Sequence, residues 1–280
     1  MADPVAAVKE GARGGTMGSP TSVPRVLTIA TSDSGGGAGI QADLKAFAAA
    51  GCHGSSALVA LTAQNTVAVT AVHELPAEFI VAQLDAVFDD IGVDAAKTGM
   101  LFSRRIIETV ADYLDGRRVP LVVDPVLIAS SGAQLLQDDA VETLIARLFP
   151  LATVVTPNLP EAETLAGLPG APRRHLAERL VELGAGAALV TGGHGEPAVD
   201  HLFDGHDHYE LRVVRHDVRA THGAGCTHSA TLAASLARGL SLPDAAAEAA
   251  RAASDAVRQG LAEIGAGDGP VDVLDLKGGR

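Results

Sequence analysis

Tryptophan is absent from the 280 residues, and aromatic side chains make up only 3% of them. The core must therefore be built from Ala, Val, Leu and Ile. With 47% apolar residues, that supply excludes a chain disordered throughout. Cysteine is scarce too: Cys52 and Cys226 lie far apart, in neither a C-x-x-C nor a zinc spacing. A disulfide framework and a structural zinc site are excluded, and a reducing, cytoplasmic compartment is expected. Basic runs are missing. Lys and Arg number 21 against 34 Asp and Glu, a net charge of −13 with His neutral. That excludes non-specific nucleic-acid binding, which needs basic residues against phosphates. A phosphorylated small molecule can still be held by backbone N–H groups and a metal. No apolar run approaches the roughly 18 residues of a membrane helix, so no membrane partner is expected. Residues 1–23 lack the apolar core of a signal peptide and are rich in Gly, Pro and Ser. They are expected to form a disordered tail, with Met17 as a second candidate start.

What the chain does have is alternation. Short apolar runs at Val26–Ala30, Ser56–Thr62, Ala95–Thr98, Leu121–Asp124, Thr153–Thr156 and Ala187–Thr191 suit strands buried on both faces of a parallel sheet. Helical stretches lie between them. In 77–91, Ile80, Leu84, Val87, Phe88 and Ile91 share one helical face, and Ile106, Val110 and Tyr113–Leu114 behave alike. The pattern predicts an α/β fold of three layers, a mostly parallel sheet between helices. Residues 199–214 read instead as a small edge hairpin turning at Asp204-Gly205. No composition break follows residue 24, so residues 24–280 are expected to form a single domain.

In such sheets ligands bind beyond the carboxyl ends of the strands. Each predicted strand is followed there by polar or glycine residues: Thr31–Gly39, Gln64-Asn65, Gly99-Met100, Asp124-Pro125, Pro157–Glu161 and Gly192-Gly193-His194. Within the first, Gly37-Ala-Gly39-Ile-Gln-Ala42 fits the loose dinucleotide pattern. The acid expected at the end of the second strand is replaced by Gln64, which weighs against a dehydrogenase. No Gly-Lys dipeptide exists, which excludes a Walker A loop.

A second glycine segment, Thr221-His-Gly-Ala-Gly-Cys-Thr227, precedes an expected helix His228–Gly239 with Leu232, Leu236 and Leu240 facing the core. Small residues at a helix start leave N–H groups free, and with the helix dipole they form an anion hole over Gly223, Ala224, Gly225 and Cys226. A cysteine in that first turn sits where its thiolate is favoured. The plainer alternative makes Cys226 a buried small hydrophobe. His222 and His228 flank the segment and read as surface or supporting residues. Asp124, with Asn158 and Glu161 at a neighbouring strand end, is a candidate Mg²⁺ set, two carboxylates and an amide oxygen. The alternative for Asn158 and Glu161 is a helix capping box, whose pattern they also fit.

Together these residues resemble the ribokinase-like superfamily, and within it the hydroxymethylpyrimidine and phosphomethylpyrimidine kinases of thiamine biosynthesis. The resemblance rests on Thr28–Lys45, Ala63–Thr66, Lys97–Leu101, Val123–Val126, Thr156–Ala162, Gly192–His194 and Thr221–Thr227, and spans about Val26 to Pro270. Sugar kinases of the superfamily usually carry Asp where Cys226 stands; Cys points to the pyrimidine and pyridoxal branches. The resemblance implies ATP over the carboxyl end of the sheet, its phosphates at 223–226, and Mg²⁺ near Asp124, Asn158 and Glu161. It implies a pyrimidine pocket lined by Ala38, Gln64 and Met100 with Asp33 and Asp43 close by, Cys226 as the base, and room for a homodimer. Two positions depart from the family: Thr31, usually Gly, and Thr191, usually Lys. The second removes a cation expected at the transferring phosphate, for which Lys45 and Lys97 are the candidate substitutes. Three functions follow: phosphorylation of hydroxymethylpyrimidine and its monophosphate, pyridoxine or pyridoxal phosphorylation, or pyrimidine binding without turnover.

Overall fold

The alternation of short apolar runs with amphipathic stretches is realised in one nine-stranded sheet between two helical layers. The computed structural model describes residues 22–127, 138–193 and 197–278. The expected N-terminal tail falls almost wholly outside them, as does His194. The strands are β1 (Arg25–Asp33), β2 (His53–Gln64), β3 (Val69–Glu74), β4 (Ala95–Thr98), β5 (Leu121–Val123), β6 (Val154–Val155), β7 (Ala188–Val190), β8 (Val199–Phe203) and β9 (His208–Arg212). Their order is β3-β2-β1-β4-β5-β6-β7-β8-β9. From β2 through β7 the neighbours run parallel, while β3, β8 and β9 pair antiparallel at the two edges.

The pleat sends alternate residues to opposite layers. Leu27 and Ile29 join one core while Val26 joins the other; Leu121 and Val123 go with the first, Val122 with the second. The first core is closed by α2 (Ala77–Ala86), α3 (Arg104–Leu114), α4 (Asp138–Arg147), α5 (Leu159–Ala166) and α6 (Arg173–Glu182). The second is closed by α1 (Gly39–Ala49), α7 (Ala224–Ala237) and α8 (Leu242–Arg258). There the shortage of aromatics is met with alanine. Ala230, Ala233 and Ala234 on α7, and Ala245, Ala246 and Ala249 on α8, are all fully buried, so small side chains let the helices approach closely.

The hairpin over 199–214 is present as β8 and β9, with Asp204 accepting the N–H groups of His206 and Asp207 at the turn. Three features differ from the expectations. Strand β3 went unread because it is half-exposed and lies at an edge, where its apolar alternation is weak. The helix over 77–91 stops being α-helical at Ala86 and ends in a π turn, Val87–Ile91. Helix α7 begins at Ala224, one turn ahead of His228, because Gly223 at φ 86° supplies its N-cap. No helix among the described residues is long and apolar enough to cross a membrane.

Candidate active site

The parallel strands β1, β4, β5 and β6 end at one edge, and the N-termini of α1, α5 and α7 start there. At the end of β1, Asp33 turns back into its own loop. Its Oδ1 accepts the Gly35 N–H at 2.8 Å; its Oδ2 accepts those of Gly37 at 3.1 Å and Ala38 at 2.8 Å. His222 Nε2 lies 3.0 Å from the same Oδ2. Burial works to raise the Asp33 pKa, but His222 and these N–H groups outweigh it and hold the carboxylate below its usual range. The two glycine loops are in contact. A Cβ on Gly223 would stand 1.8 Å from the Gly37 carbonyl oxygen, and one on Gly37 would stand 2.2 Å from His222 Cδ2. At Gly223, with φ 86° and backbone in the way, only glycine fits; at Gly37 a side chain would displace the His222 ring.

Beneath the loops lies a charged cluster. Lys97, at the end of β4 and fully buried, donates to Asp43 Oδ1 of α1 at 2.7 Å. Its Nζ is 3.7 Å from Asp124 Oδ2, beyond β5. Thr28 of β1 donates to Asp43 Oδ2 at 2.6 Å, and Ser229 of α7 donates to Asp124 Oδ2 at 2.7 Å. Burial opposes the Lys97 charge, but Asp43 and Asp124 prevail and hold its pKa above the ordinary lysine value.

Cys226 lies in the first turn of α7, over this cluster. The residue is half-buried, and the surrounding protein pushes the thiol up to about 12. Burial is the largest cause and Asp43 and Asp124 add to it, against Lys97 and the Gly39 N–H, which favour the thiolate. The helix terminus therefore does not by itself ionise this thiol, in contrast to the expectation from its position. The reason is first its burial, and then the pair of carboxylates that the fold brings beneath it.

Asn158 and Glu161 form the capping box of α5: Glu161 N–H donates to Asn158 Oδ1 at 3.0 Å, and Asn158 N–H to Glu161 Oε2 at 2.9 Å. Glu161 Oε1 also accepts the Leu127 N–H at 3.3 Å. Burial first, and then the charge of Asp124, push the Glu161 pKa up to about 7. No three His, Cys, Asp or Glu side chains among the described residues converge as a metal cluster.

The expected site residues thus separate by role. Cys226, Gly223, Ala224 and Gly225 surround the start of α7, whereas Ala38 caps α1, Gln64 ends β2 and Met100 lies two residues beyond β4. Asp33 and Asp43, expected beside the substrate, are turned into the protein: their oxygens are taken by loop N–H groups and by Thr28 and Lys97. Thr31 has a task that glycine could not perform, donating to the Met100 carbonyl at 3.0 Å and tying two site loops together. Of the candidate cations, Lys97 is committed to carboxylates, whereas Lys45 reaches over the first loop to the Gly36 carbonyl at 2.7 Å.

Sequence reasoning gave Ser229 no part and left His222 and His228 as surface or supporting residues; both are buried and supporting. His228 Nε2 lies 3.1 Å from Asp200 Oδ2, and Asp200 Oδ1 accepts the Gly192 N–H at 2.5 Å, joining α7 to the loop after β7. Their only signal was proximity to the glycine segment.

A helix start without a side-chain cap, a cysteine in its first turn and neighbouring carboxylates at the carboxyl edge of a parallel sheet suit transfer of an anionic group. The fold is that of the ribokinase-like kinases. It superposes on an ADP complex of Bacillus subtilis pyridoxal kinase with TM-score 0.83 and 37% identity, covering 91% of this chain and 99% of that one. It also superposes on a phosphomethylpyrimidine kinase from Clostridium difficile with TM-score 0.75 and 39% identity, covering 84% and 99%. The class is therefore phosphotransferase. Within that class, the sequence pattern of phosphomethylpyrimidine kinase matches residues 33–272. A hydroxymethylpyrimidine/phosphomethylpyrimidine kinase from Streptomyces coelicolor is 48% identical over 257 residues, 90% of this chain and 95% of that protein. The chain belongs to the phosphomethylpyrimidine kinase family.

Proposed function

We propose that the protein transfers the terminal phosphate of ATP to 4-amino-5-hydroxymethyl-2-methylpyrimidine, and then to its monophosphate, giving the pyrophosphate used in thiamine assembly. Residues 24–280 act as one catalytic domain in the cytosol. The observation that carries the reading is the start of α7, which has neither a side-chain cap nor an acid in its first turn. The ATP phosphates meet the N–H groups of Gly223, Gly225 and Cys226 there, favoured by the helix dipole, whereas that of Ala224, also expected in the anion hole, is taken by the Thr221 carbonyl at 3.1 Å. The pyrimidine lies against Ala38, Gln64 and Met100, since an amide both donates to and accepts from an aminopyrimidine edge. Asp33 and Asp43 shape this pocket from behind. Cys226 takes the proton of the substrate hydroxyl as a thiolate, a form that Lys97 and the Gly39 N–H favour and that burial and the two carboxylates oppose. Phosphoryl transfer asks little of that base, because positioning and charge neutralisation carry most of the barrier. A groove of about 540 Å³ between β9 and α8, lined by Val214, His216, Ala250 and Ser254, takes the adenine. Arg215, between the lining residues Val214 and His216, donates to the Gly192 carbonyl at 2.9 Å in the loop after β7.

The donor set fits magnesium. Asp124 and Glu161 are oxygen donors close enough for one to raise the proton affinity of the other, a repulsion that a hard dication relieves. They would hold the ion, with Asn158 through water because its Oδ1 already caps α5. Bound there, it would neutralise phosphate charge. Glu161→Gln keeps the capping pattern and removes the charge. Because the folded pKa of Glu161 is raised above its unfolded value, its contribution is most favourable below about pH 4.5 and is lost as pH rises through about 7. The variant should therefore melt above wild type at pH 8 without Mg²⁺, and lose the Mg²⁺-induced rise in Tm.

Incubation with the pyrimidine and MgATP should release ADP and form both products, seen by mass spectrometry; no turnover of either pyrimidine would sink the proposal. The TM-score with pyridoxal kinase motivates a second reading. Catalytic efficiency on pyridoxal measured beside that on the pyrimidine decides between them. Binding without turnover gives way to membership of a kinase family.

A further inference from the structure

A chain of polar contacts that the proposed chemistry does not use joins the first glycine loop to Gln64. His222 Nε2 lies 3.0 Å from Asp33 Oδ2 and 3.5 Å from Gln64 Nε2. At the far end of the amide, Thr62 Oγ1 lies 3.1 Å from Gln64 Oε1 and 2.9 Å from the Ser32 carbonyl oxygen. Asp33, His222 and Thr62 are all buried, so these polarities are not averaged by water.

Both ends of the chain have a fixed direction. The Ser32 carbonyl only accepts, so the single hydroxyl proton of Thr62 goes to it. The Asp33 carboxylate, ionised by its N–H partners, also only accepts, so His222 carries its proton on Nε2. Between them stands an amide whose two orientations fill nearly the same space. With Nε2 toward His222, two donors face each other, and Oε1 faces a hydroxyl that has no proton left to give. Half a turn about the last side-chain bond sets Oε1 against the His222 N–H and Nε2 against Thr62 Oγ1. The Thr62 contact then runs from donor to acceptor, and Oε1 stands 3.5 Å from an N–H that is given first to Asp33, an attraction in place of a clash of two donors.

We propose that His222 is a specificity-determining positioning residue: with Thr62 it sets the orientation of the Gln64 amide, and so the order in which Gln64 offers acceptor and donor to the substrate ring. The proposal rests on the reading of Gln64 as a substrate contact. An aminopyrimidine edge carries an amino donor beside a ring-nitrogen acceptor, and it matches an amide held in one order only. A ring bearing an oxygen where the amino group stands, as pyridoxal does, gains nothing from that order.

Steady-state kinetics on both rings test this with three variants. His222→Phe keeps a flat ring without the donor, His222→Gln returns an N–H, and Thr62→Val removes the other end of the chain. The Phe and Val variants should raise KM for the pyrimidine by about 10- to 100-fold, as expected when a buried polar group is left unpaired. The change in kcat should be smaller, and the preference for the pyrimidine over pyridoxal should fall by about tenfold or more. The Gln variant should recover most of both. Equal losses in the Phe and Gln variants, or an unchanged preference in the Phe or Val variant, would overturn the proposal; if the Phe variant fails to fold, the Val variant decides alone. Nitrogen-15 NMR of the wild-type histidines, with no substrate present, should show His222 as the Nε2–H tautomer, and the Nδ1–H tautomer would overturn the chain whatever the substrate is. Wild-type protein that turns over neither ring would remove the reading of Gln64 instead, and leave the tautomer result standing.

Discussion

The two glycine loops are alike in composition and opposite in electrostatics. Gly35–Gly39 leads into α1, and Gly223–Gly225 into α7. In the first, the Asp33 carboxylate takes three of the loop N–H groups, so the protein supplies its own anion. In the second, Gly223 caps the helix with no side chain and no acid follows in the first turn, so the anion must come from outside. One loop is a wall and the other a receptor. Glycine content alone does not separate them; what separates them is whether a carboxylate lies within reach of the free N–H groups.

Joining the loops at their contact should have the largest effect. Gly223→Ala places a Cβ against the Gly37 carbonyl and a side chain at positive φ, with backbone on both sides and no room to yield. It should abolish activity and cost about 3 kcal/mol or more of stability, read by Tm and by pyrimidine turnover. Removing the thiol at the receptor loop comes next. Cys226→Ala should lower kcat by about 10²- to 10⁴-fold while keeping ATP affinity and most of the Tm. A folded variant with near wild-type kcat would end the base assignment and leave the anion hole standing.

Turning the wall into a second receptor is gentler. Asp33→Asn keeps shape but weakens three N–H contacts and the approach of His222. About 1–3 kcal/mol of stability should be lost at pH 7, measured by denaturant unfolding. The sign of its pH dependence follows from the lowered pKa. Asp33 contributes stability fully above its unfolded value, and that contribution is lost as pH falls through the lower folded value. The variant should therefore approach wild-type stability below about pH 4, where wild type loses this contribution. Smallest is the effect on thiol chemistry at neutral pH. With its thiol pushed up to about 12, Cys226 should react slowly with iodoacetamide at pH 7, and the rate should rise about tenfold per pH unit through pH 9. A plateau below pH 8 would show the thiolate to be stabilised after all.

The fold and the site were unequally legible. Runs such as Val26–Ala30 and Leu121–Asp124 announce strands covered on both faces, because only burial on both sides makes uninterrupted apolar runs useful. Gly223–Cys226 announces an anion site because free N–H groups at a helix start depend on local chain geometry. Strand β3 stayed hidden because an edge strand buries little. The capping box at Asn158–Glu161 was legible as one of two readings, and its hydrogen bonds are present while the carboxylate still faces Asp124.

Periodicity, glycine spacing and the residues at strand ends determined the layers, the sheet and the location of the site, since each is a property of a few consecutive residues. Charge states and partnerships waited for the tertiary structure. Lys97 meets Asp43 across 54 positions of chain, and His222 meets Asp33 across 189. Cys226 stands over carboxylates contributed by α1 and by the segment after β5. Whether a helix-terminal thiol ionises, whether an aspartate lines a pocket or braces it, and which way an amide turns all depend on distances between segments remote in sequence. Electrostatic energies fall with distance and grow with burial, and chain folding alone supplies both.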